Sequence, residues 1–154
     1  MLAAEAERLE VKPWQAVRIL ESAYELYPER VSVLNNLVYV LALDKRTLTR
    51  ARKLLPKLIS IGNESFEVMD TVAMVYIRTG ELESARKHMD AALGGLDRVS
   101  YSPQEMRLNA AELQVRLGKH EEAKQQLELL RQDAERSDFI DMKASKMLRD
   151  INGL

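Results

Sequence analysis

The chain has 154 residues, of which 46% are hydrophobic and 31% are charged, a balance typical of one globular domain rather than of a membrane protein or a disordered chain. Its 23 basic and 24 acidic residues give a net charge of −1, which disfavours a nucleic-acid binder because such proteins usually carry a basic excess. The sequence has no cysteine, no signal peptide and no apolar run long enough to span a bilayer. We therefore predict no membrane insertion, and the sequence does not indicate a compartment.

The N-terminal part of the chain is predicted to be helical. Leu, Ala, Glu, Lys and Arg greatly outnumber Val, Ile and aromatic residues, and this composition favours helices over strands. Residues 1–10 form a short helical run, and Pro13 is placed to open a second helix that continues towards Pro28. Within that second helix, Ala16 and Leu20 have helical spacing.

Two further helices are predicted before Gly62. The first covers residues 31–44, with apolar side chains at helical spacing at Leu34, Leu37, Val38 and Leu41. The second runs over residues 47–61, with Ala51 and Leu55 on its apolar face. Pro56 lies inside the second helix, where its missing N–H predicts a bend that costs about 3 kcal/mol unless neighbours compensate. Gly62 is predicted to end this helix.

The clearest pattern in the sequence lies between residues 71 and 93. Apolar residues recur at helical spacing, Gly80 interrupts them, and a second apolar stripe follows, which predicts two helices joined by a tight turn. Ser65 is placed to cap the first of these helices. Ala73 and Ala85 are small at the point where the two helices should cross, because larger side chains would hold the backbones apart.

This stretch resembles a tetratricopeptide (TPR) repeat. The TPR pattern is W-x2-L-G-x2-Y, then A-x3-F, then P, with a period of about 34 residues. Its positions are filled here by Met69, Val72, Ala73, Tyr76, Ala85 and Met89. Equivalent alanines recur at intervals of 35, 34 and 38 residues, at Ala16, Ala51, Ala85 and Ala123. The runs LNNLVYVLA and DTVAMVYIRTGELESARKHM also resemble bacterial TPR segments of large multi-repeat proteins.

A longer loop after Leu93 accounts for the 38-residue interval between Ala85 and Ala123. A fourth unit follows this loop. Residues 102–105 (SPQE) have the form of a capping box with Pro at the first helical position. Small and apolar residues of this unit are Ala110, Ala111, Ala123 and Leu127, with Gly118 in its turn. Arg107 and Gln114 occupy apolar positions of the motif, so this unit matches the motif less closely than the others.

The resemblance implies an all-α fold: a right-handed α-α superhelix, or TPR solenoid, in one domain over residues 1–154. It comprises a partial repeat, three full repeats and a capping helix, at residues 2–29, 31–64, 65–99, 102–136 and 137–151. The capping helix would cover the last hairpin because an uncapped array exposes an apolar face. By the repeat register, the sequence begins in the middle of a first helix. We therefore expect that the chain is a piece of a longer protein, or that its first hairpin is truncated. A native N-terminal cap is the alternative.

The function implied by the resemblance is non-catalytic binding of a peptide or partner surface in a concave groove lined by first helices. The groove residues would be Asn35, Asn36, Tyr39, Glu67, Asp70, Met74, Arg78, Glu105, Asn109 and Glu112. Their acidic and apolar character suits a basic or apolar partner. The carboxylate clamp of chaperone-binding TPR proteins is not expected, because Glu67 and Thr71 stand where basic residues are needed and only Asn36, and less surely Asn35, matches it.

Three alternatives accompany this prediction. The acids could simply occupy first helical turns or solubilise helices, and Tyr39 and Met74 could pack against neighbouring repeats. The array could instead be a scaffold segment of a longer TPR array that stacks or self-associates through its N-terminal end, around Ala3 and Trp14. An enzyme is not expected: His88 and His120 lack the spaced partners of a metal site, no phosphate loop is present, and no cofactor is indicated.

Overall fold

The computed structural model describes residues 13–95, 103–133 and 137–153, and all regular structure in these ranges is helical. In chain order the helices are α1 (Pro13–Leu26), α2 (Val31–Leu43), α3 (Leu48–Gly62), α4 (Phe66–Thr79), α5 (Leu82–Leu93), α6 (Pro103–Arg116), α7 (His120–Gln132) and α8 (Asp138–Asn152). The described ranges contain no strand, which confirms the prediction of an all-α protein.

Serine side chains begin two of the helices. The Ser65 hydroxyl oxygen accepts a hydrogen bond from the backbone N–H of Val68 at 3.3 Å, as predicted for the start of α4. The Ser137 hydroxyl oxygen accepts one from the N–H of Ile140 at 3.3 Å and so caps α8. Each cap satisfies a backbone donor in the first turn that has no acceptor within its own helix.

Glycines allow a sharp turn and a close approach in the middle of the chain. Gly80 ends α4 with φ of 82°, a left-handed conformation that glycine adopts without steric cost. A β-carbon at Gly95 would overlap the ring of Phe66, so only glycine lets the end of the second hairpin lie against the start of α4. The turn predicted at Gly80 is confirmed.

Pro56 lies inside α3 and does not end it. The helix continues from Leu48 through Pro56 to Gly62, where the sequence pattern also placed its end. The Pro56 side chain is exposed, so its ring displaces no core residue. The bend expected from its missing N–H stays a prediction.

The helices pack in a regular order along the chain. Three hairpins form, by α2 with α3, α4 with α5, and α6 with α7, while α1 packs on α2 and α8 packs on α7. The first helices also contact one another in sequence, α2 with α4, α4 with α6, and α6 with α8. In addition, α3 packs on α4 and α5 packs on α6, so each hairpin contacts the next through both of its helices.

The small residues expected at the helix crossings are buried. Every one of the following alanines has no exposed surface: Ala51, Ala73, Ala85, Ala111 and Ala123. The apolar residues four positions after the second-helix alanines are at most 1% exposed, at Leu55, Met89 and Leu127. These positions are therefore core positions, as the repeated pattern predicted.

Two core clusters divide the molecule, and α6 contributes to both. Ala110 belongs to the first cluster, which extends from α1 to α6, whereas the neighbouring Ala111 belongs to the second, which joins α6, α7 and α8. In α8, Ile140, Leu148 and Ile151 are buried in this second cluster. The last helix therefore covers the final hairpin, as expected.

Several expectations fall on residues outside the described ranges. These are the helical run at residues 1–10, the contact at Ala3 and the capping role of Ser102. Nearby, α1 begins at Pro13 and α6 begins at Pro103, as predicted from the two prolines. No helix in the described part of the chain is long and apolar enough to cross a membrane.

The close packing between α4 and α5 can be tested at Ala85. Replacing Ala85 with Leu inserts three carbons where no free space is left, so the free energy of unfolding should fall by about 1–3 kcal/mol in urea denaturation. Ala91→Leu in the same helix is the matched control, because Ala91 is exposed, and it should change stability by less than about 0.5 kcal/mol. Equal effects at both positions would contradict a close helix crossing at Ala85.

Candidate functional site

The first predicted groove residues lie on α2, whose 13 residues include no charged side chain. Asn36 and Tyr39 are partly exposed, and Tyr39 also packs against the first core cluster. The Asn35 side-chain oxygen is buried and has no hydrogen-bond partner within the described part of the chain.

The groove residues expected on α4 are less accessible than the sequence suggested. Asp70 is 4% exposed and Met74 is 2% exposed, and Met74 lies in the first core cluster. The reason is that α4 is packed by α2, α3, α5 and α6, so that nine of its 14 residues are buried. The expectation that Asp70 and Met74 face an accessible groove is therefore not met.

Asp70 instead connects α4 to α6. The Asn109 side-chain amide donates to both carboxylate oxygens of Asp70, at 3.0 Å to Oδ1 and 3.2 Å to Oδ2. A buried carboxylate needs such donors because it has lost its hydration. Asp70 and Asn109, two predicted groove residues that are 39 positions apart, therefore lie in contact. Their hydrogen bonds hold α4 and α6 in register.

Glu67 and Arg78 lie at opposite ends of α4. The Ser65 hydroxyl donates to Glu67 Oε2 at 2.8 Å, and this carboxylate lies in the first turn of α4, where negative charge is favourable. Arg78 Nη1 donates to the backbone carbonyl of Ala42 at 2.6 Å and so satisfies an acceptor in the last turn of α2. Glu67 therefore occupies a first helical turn, as in the alternative interpretation of the acids, and Arg78 satisfies a carbonyl at the end of α2.

The two acids predicted on α6 remain partly exposed. Glu105 lies in the first turn of the helix. Glu112 forms an ion pair with Arg116 one turn later, at 3.5 Å, and pairs of this kind contribute only a few tenths of a kcal/mol. Of the predicted groove residues not used to join or cap helices, five keep accessible surface: Asn35, Asn36, Tyr39, Glu105 and Glu112.

A polar cluster that the sequence analysis missed joins α3 to the second hairpin. Arg52 forms two hydrogen bonds to the Glu81 carboxylate, at 2.7 and 2.8 Å, and its guanidinium carbon lies 4.9 Å from the centre of the Tyr76 ring. Thr79 Oγ1 donates to Glu81 Oε1 at 2.9 Å. Tyr76 in turn lies 5.3 Å from the His88 ring, centre to centre. Paired Arg and carboxylate groups of this geometry are among the stronger surface interactions.

A recurring separation could have indicated this cluster. Arg52 and Glu81 are 29 residues apart, and the same separation links Arg50 to Glu21 by an ion pair and Gln104 to Asp133 by a 2.6 Å hydrogen bond. Lys57 also pairs with Glu29, 28 residues away. Polar contacts therefore recur at a separation of 28 or 29 residues, which is shorter than the 34- to 38-residue interval of the alanines and does not show in the apolar pattern.

The charge on Glu81 is stabilised by its neighbours. The hydrogen bonds from Arg52 lower the pKa of the Glu81 carboxyl below its ordinary value, and the Thr79 hydroxyl adds to this effect. The same hydrogen bonds raise the pKa of the Arg52 guanidinium. His88 Nδ1 lies 2.8 Å from the Ser84 carbonyl oxygen, a contact in which the ring N–H donates. The cluster is thus a structural network.

Other sites were sought across the described ranges. They contain no group of three or more His, Cys, Asp or Glu residues that could hold a metal ion. An open crevice of about 500 Å³ lies between α1, α2 and α3, with apolar walls at Leu37 and Leu54 and charged residues of both signs at its edge. It lies beside α3, and none of the predicted groove residues lines it.

Comparison with known proteins does not assign the chain to a family. No protein-family model, no curated protein and no solved structure matches it. The resemblance to TPR repeats accordingly rests on the sequence pattern.

The link between α4 and α6 can be tested at Asn109. Asn109→Ala removes a donor to a buried carboxylate, so the free energy of unfolding should fall by about 1–3 kcal/mol. Asn36→Ala, at a partly exposed asparagine of α2, is the matched control and should cost less than about 0.5 kcal/mol. Urea denaturation measures both, and an equal loss in the two variants would show that the hydrogen bonds to Asp70 do not stabilise the fold.

The pair between Glu81 and Arg52 should make stability depend on pH. Because the folded-state pKa of Glu81 is lowered, its contribution is present above its unfolded pKa of about 4.3 and is lost as the pH falls through the lower folded value. We expect Glu81→Gln to cost up to about 1 kcal/mol at pH 7, a limit set by its partial exposure, and progressively less towards pH 3.

The control for this pH dependence is Glu83→Gln. Glu83 lies in the first turn of the same helix, and its side chain is 80% exposed. Its substitution should change the free energy of unfolding by less than about 0.5 kcal/mol at either pH. If Glu81→Gln lowers the free energy of unfolding equally at pH 7 and pH 3, the charged pair of Glu81 with Arg52 is not the source of the loss.

Proposed function

We propose that this protein is a non-catalytic, TPR-like interaction module that binds a peptide or partner surface across α2, α4 and α6. The observation that carries the proposal is the direct packing of these three first helices on one another in chain order. Such a layer corresponds to the groove-lining helices of the family that the sequence resembles. Side chains also join the three helices, through Asn109 to Asp70 and through Arg78 to the carbonyl of Ala42.

The chemistry of this layer favours a basic or apolar partner. α2 offers an uncharged surface with the ring of Tyr39, and aromatic rings contribute strongly to interfaces because they bury a large area. α6 adds the partly exposed carboxylates of Glu105 and Glu112. Lysine or arginine next to apolar residues in a partner would complement both features.

The buried members of the layer have a supporting role in this proposal. Asp70, Met74 and Asn109 fix the distance between α4 and its neighbours, while Asn36, Tyr39, Glu105 and Glu112 contact the partner. This division narrows the binding residues to partly exposed side chains, of which Tyr39 also packs on the first core cluster.

A peptide selection on the immobilised whole chain tests the proposal. We expect random peptides that bind it to be enriched in Lys, Arg and apolar residues. Tyr39→Ala and Glu112→Lys should each weaken binding of the selected peptides about tenfold or more, which is about 1.4 kcal/mol, as measured by calorimetry or fluorescence anisotropy. Glu128→Lys is the control, because Glu128 is an exposed acid on α7 and its reversal changes the net charge equally.

The stability of each variant should be measured alongside its affinity. Tyr39 packs partly on the first core cluster, so urea denaturation must show that Tyr39→Ala remains folded at the temperature of the binding assay. Peptides that bind the Tyr39 and Glu112 variants as tightly as the wild type and the Glu128 control would overturn the proposal.

A further inference from the structure

α1 and the residue that follows it hold four of the seven large hydrophobic side chains that are exposed in the described structure. Ile19 is 67% exposed and Leu26 is 72% exposed, and Trp14 and Tyr27 in or next to the same helix are each more than half exposed. The opposite side of α1 is already used, because Val17, Leu20 and Tyr24 pack against the first core cluster. The outer side is thus an apolar surface separate from the proposed binding layer.

The residues on the outer side of α1 are arranged symmetrically about Ser22. At about 100° per residue, Ser22 lies at the centre of the exposed arc, Ile19 and Leu26 lie on one flank, and Arg18 and Glu25 lie on the other. Residues seven positions apart are about 10.5 Å apart along the axis, so Arg18 and Glu25 of one helix cannot pair with each other. Neither forms an ion pair with another residue in the described part of the chain.

We propose that α1 binds α1 of a second copy of this chain, antiparallel, about a two-fold axis that passes beside Ser22. In such a pair, residues before Ser22 meet residues after Ser22 on the same flank. Arg18 then meets Glu25 of the second copy, and Ile19 meets its Leu26, and the symmetry makes each contact twice. The small side chain of Ser22 allows the two helices to approach at the axis.

Charge favours α1 of a second copy, rather than α8 of a second copy, as the helix that binds α1. The exposed side of α8 carries three bases and two acids next to the exposed Met142: Lys143, Lys146, Arg149, Asp138 and Asp150. The exposed flank of α1 has one acid for its one base, so it offers no surplus negative charge to the net positive charge on this side of α8. A pair of α1 helices, in contrast, matches Arg18 with Glu25 and Ile19 with Leu26.

Light scattering coupled to size-exclusion chromatography, with the whole chain at increasing concentration, tests the proposal. We expect the wild type to reach twice the mass of one chain. Arg18→Glu or Glu25→Arg alone places like charges together and should weaken the dimer about tenfold or more, whereas the double variant restores both pairs and should recover most of the affinity. Met142→Glu at α8 is the control and should leave the dimer unchanged.

A cross-link tests the position of the axis. The chain has no cysteine, so Ser22→Cys introduces a single thiol. Mild oxidation should join two copies through this thiol, because the two positions face each other across the axis, and Gln125→Cys on the exposed side of α7 should remain largely unlinked.

Two outcomes of the light-scattering experiment would overturn the proposal. A monomer at all concentrations overturns the proposal, including the case in which another segment of the same chain covers α1. A dimer that charge reversal does not weaken, or that the double variant does not restore, forms through another surface and also overturns it. Tyr39→Ala and Glu112→Lys should not change the mass, so failure of the proposed peptide binding and failure of this interface are distinguishable.

Discussion

The close approach of helices at buried alanines is the constraint on which the rest of the structure depends. Ala51, Ala85 and Ala123 have no exposed surface, and each is followed one turn later by a large buried apolar residue. A small side chain lets the backbones approach, and the larger side chain fills the space beside the crossing. Since the same combination recurs in each hairpin, each one presents similar surfaces to the next, and the regular order of packing follows.

Polar contacts complement this apolar framework at the joints between hairpins. The hydrogen bonds of Asn109 to Asp70, the paired Arg52 and Glu81, and the contact of Arg78 with the carbonyl of Ala42 each join helices of successive hairpins. Apolar packing alone permits small sliding of one hairpin on another, whereas hydrogen bonds of defined geometry select one register. The polar residues therefore decide the relative position of surfaces that the alanines bring together.

Most of the fold could be predicted from the sequence because its signals are local and repeated. Apolar spacing, the serine before α4 and the glycines at turns identified helices within one or two residues of their bounds. The candidate site was harder to predict. Helical spacing placed Asp70 and Met74 on the first-helix face, but it could not show that neighbours on both sides of α4 cover that face. Nor does a single-repeat pattern reveal pairs such as Arg52 and Glu81, which form only between hairpins.

The adjacent alanines of α6 also have a consequence for unfolding. Ala110 contributes to the first core cluster and Ala111 to the second, so the two cores share one helix and otherwise have separate side chains. In repeat proteins, stability is distributed among neighbouring units and their interfaces, and units can open separately. We therefore expect α7 and α8 to exchange their amide protons through an opening that leaves the first cluster intact, with α6 at the boundary between the two cores.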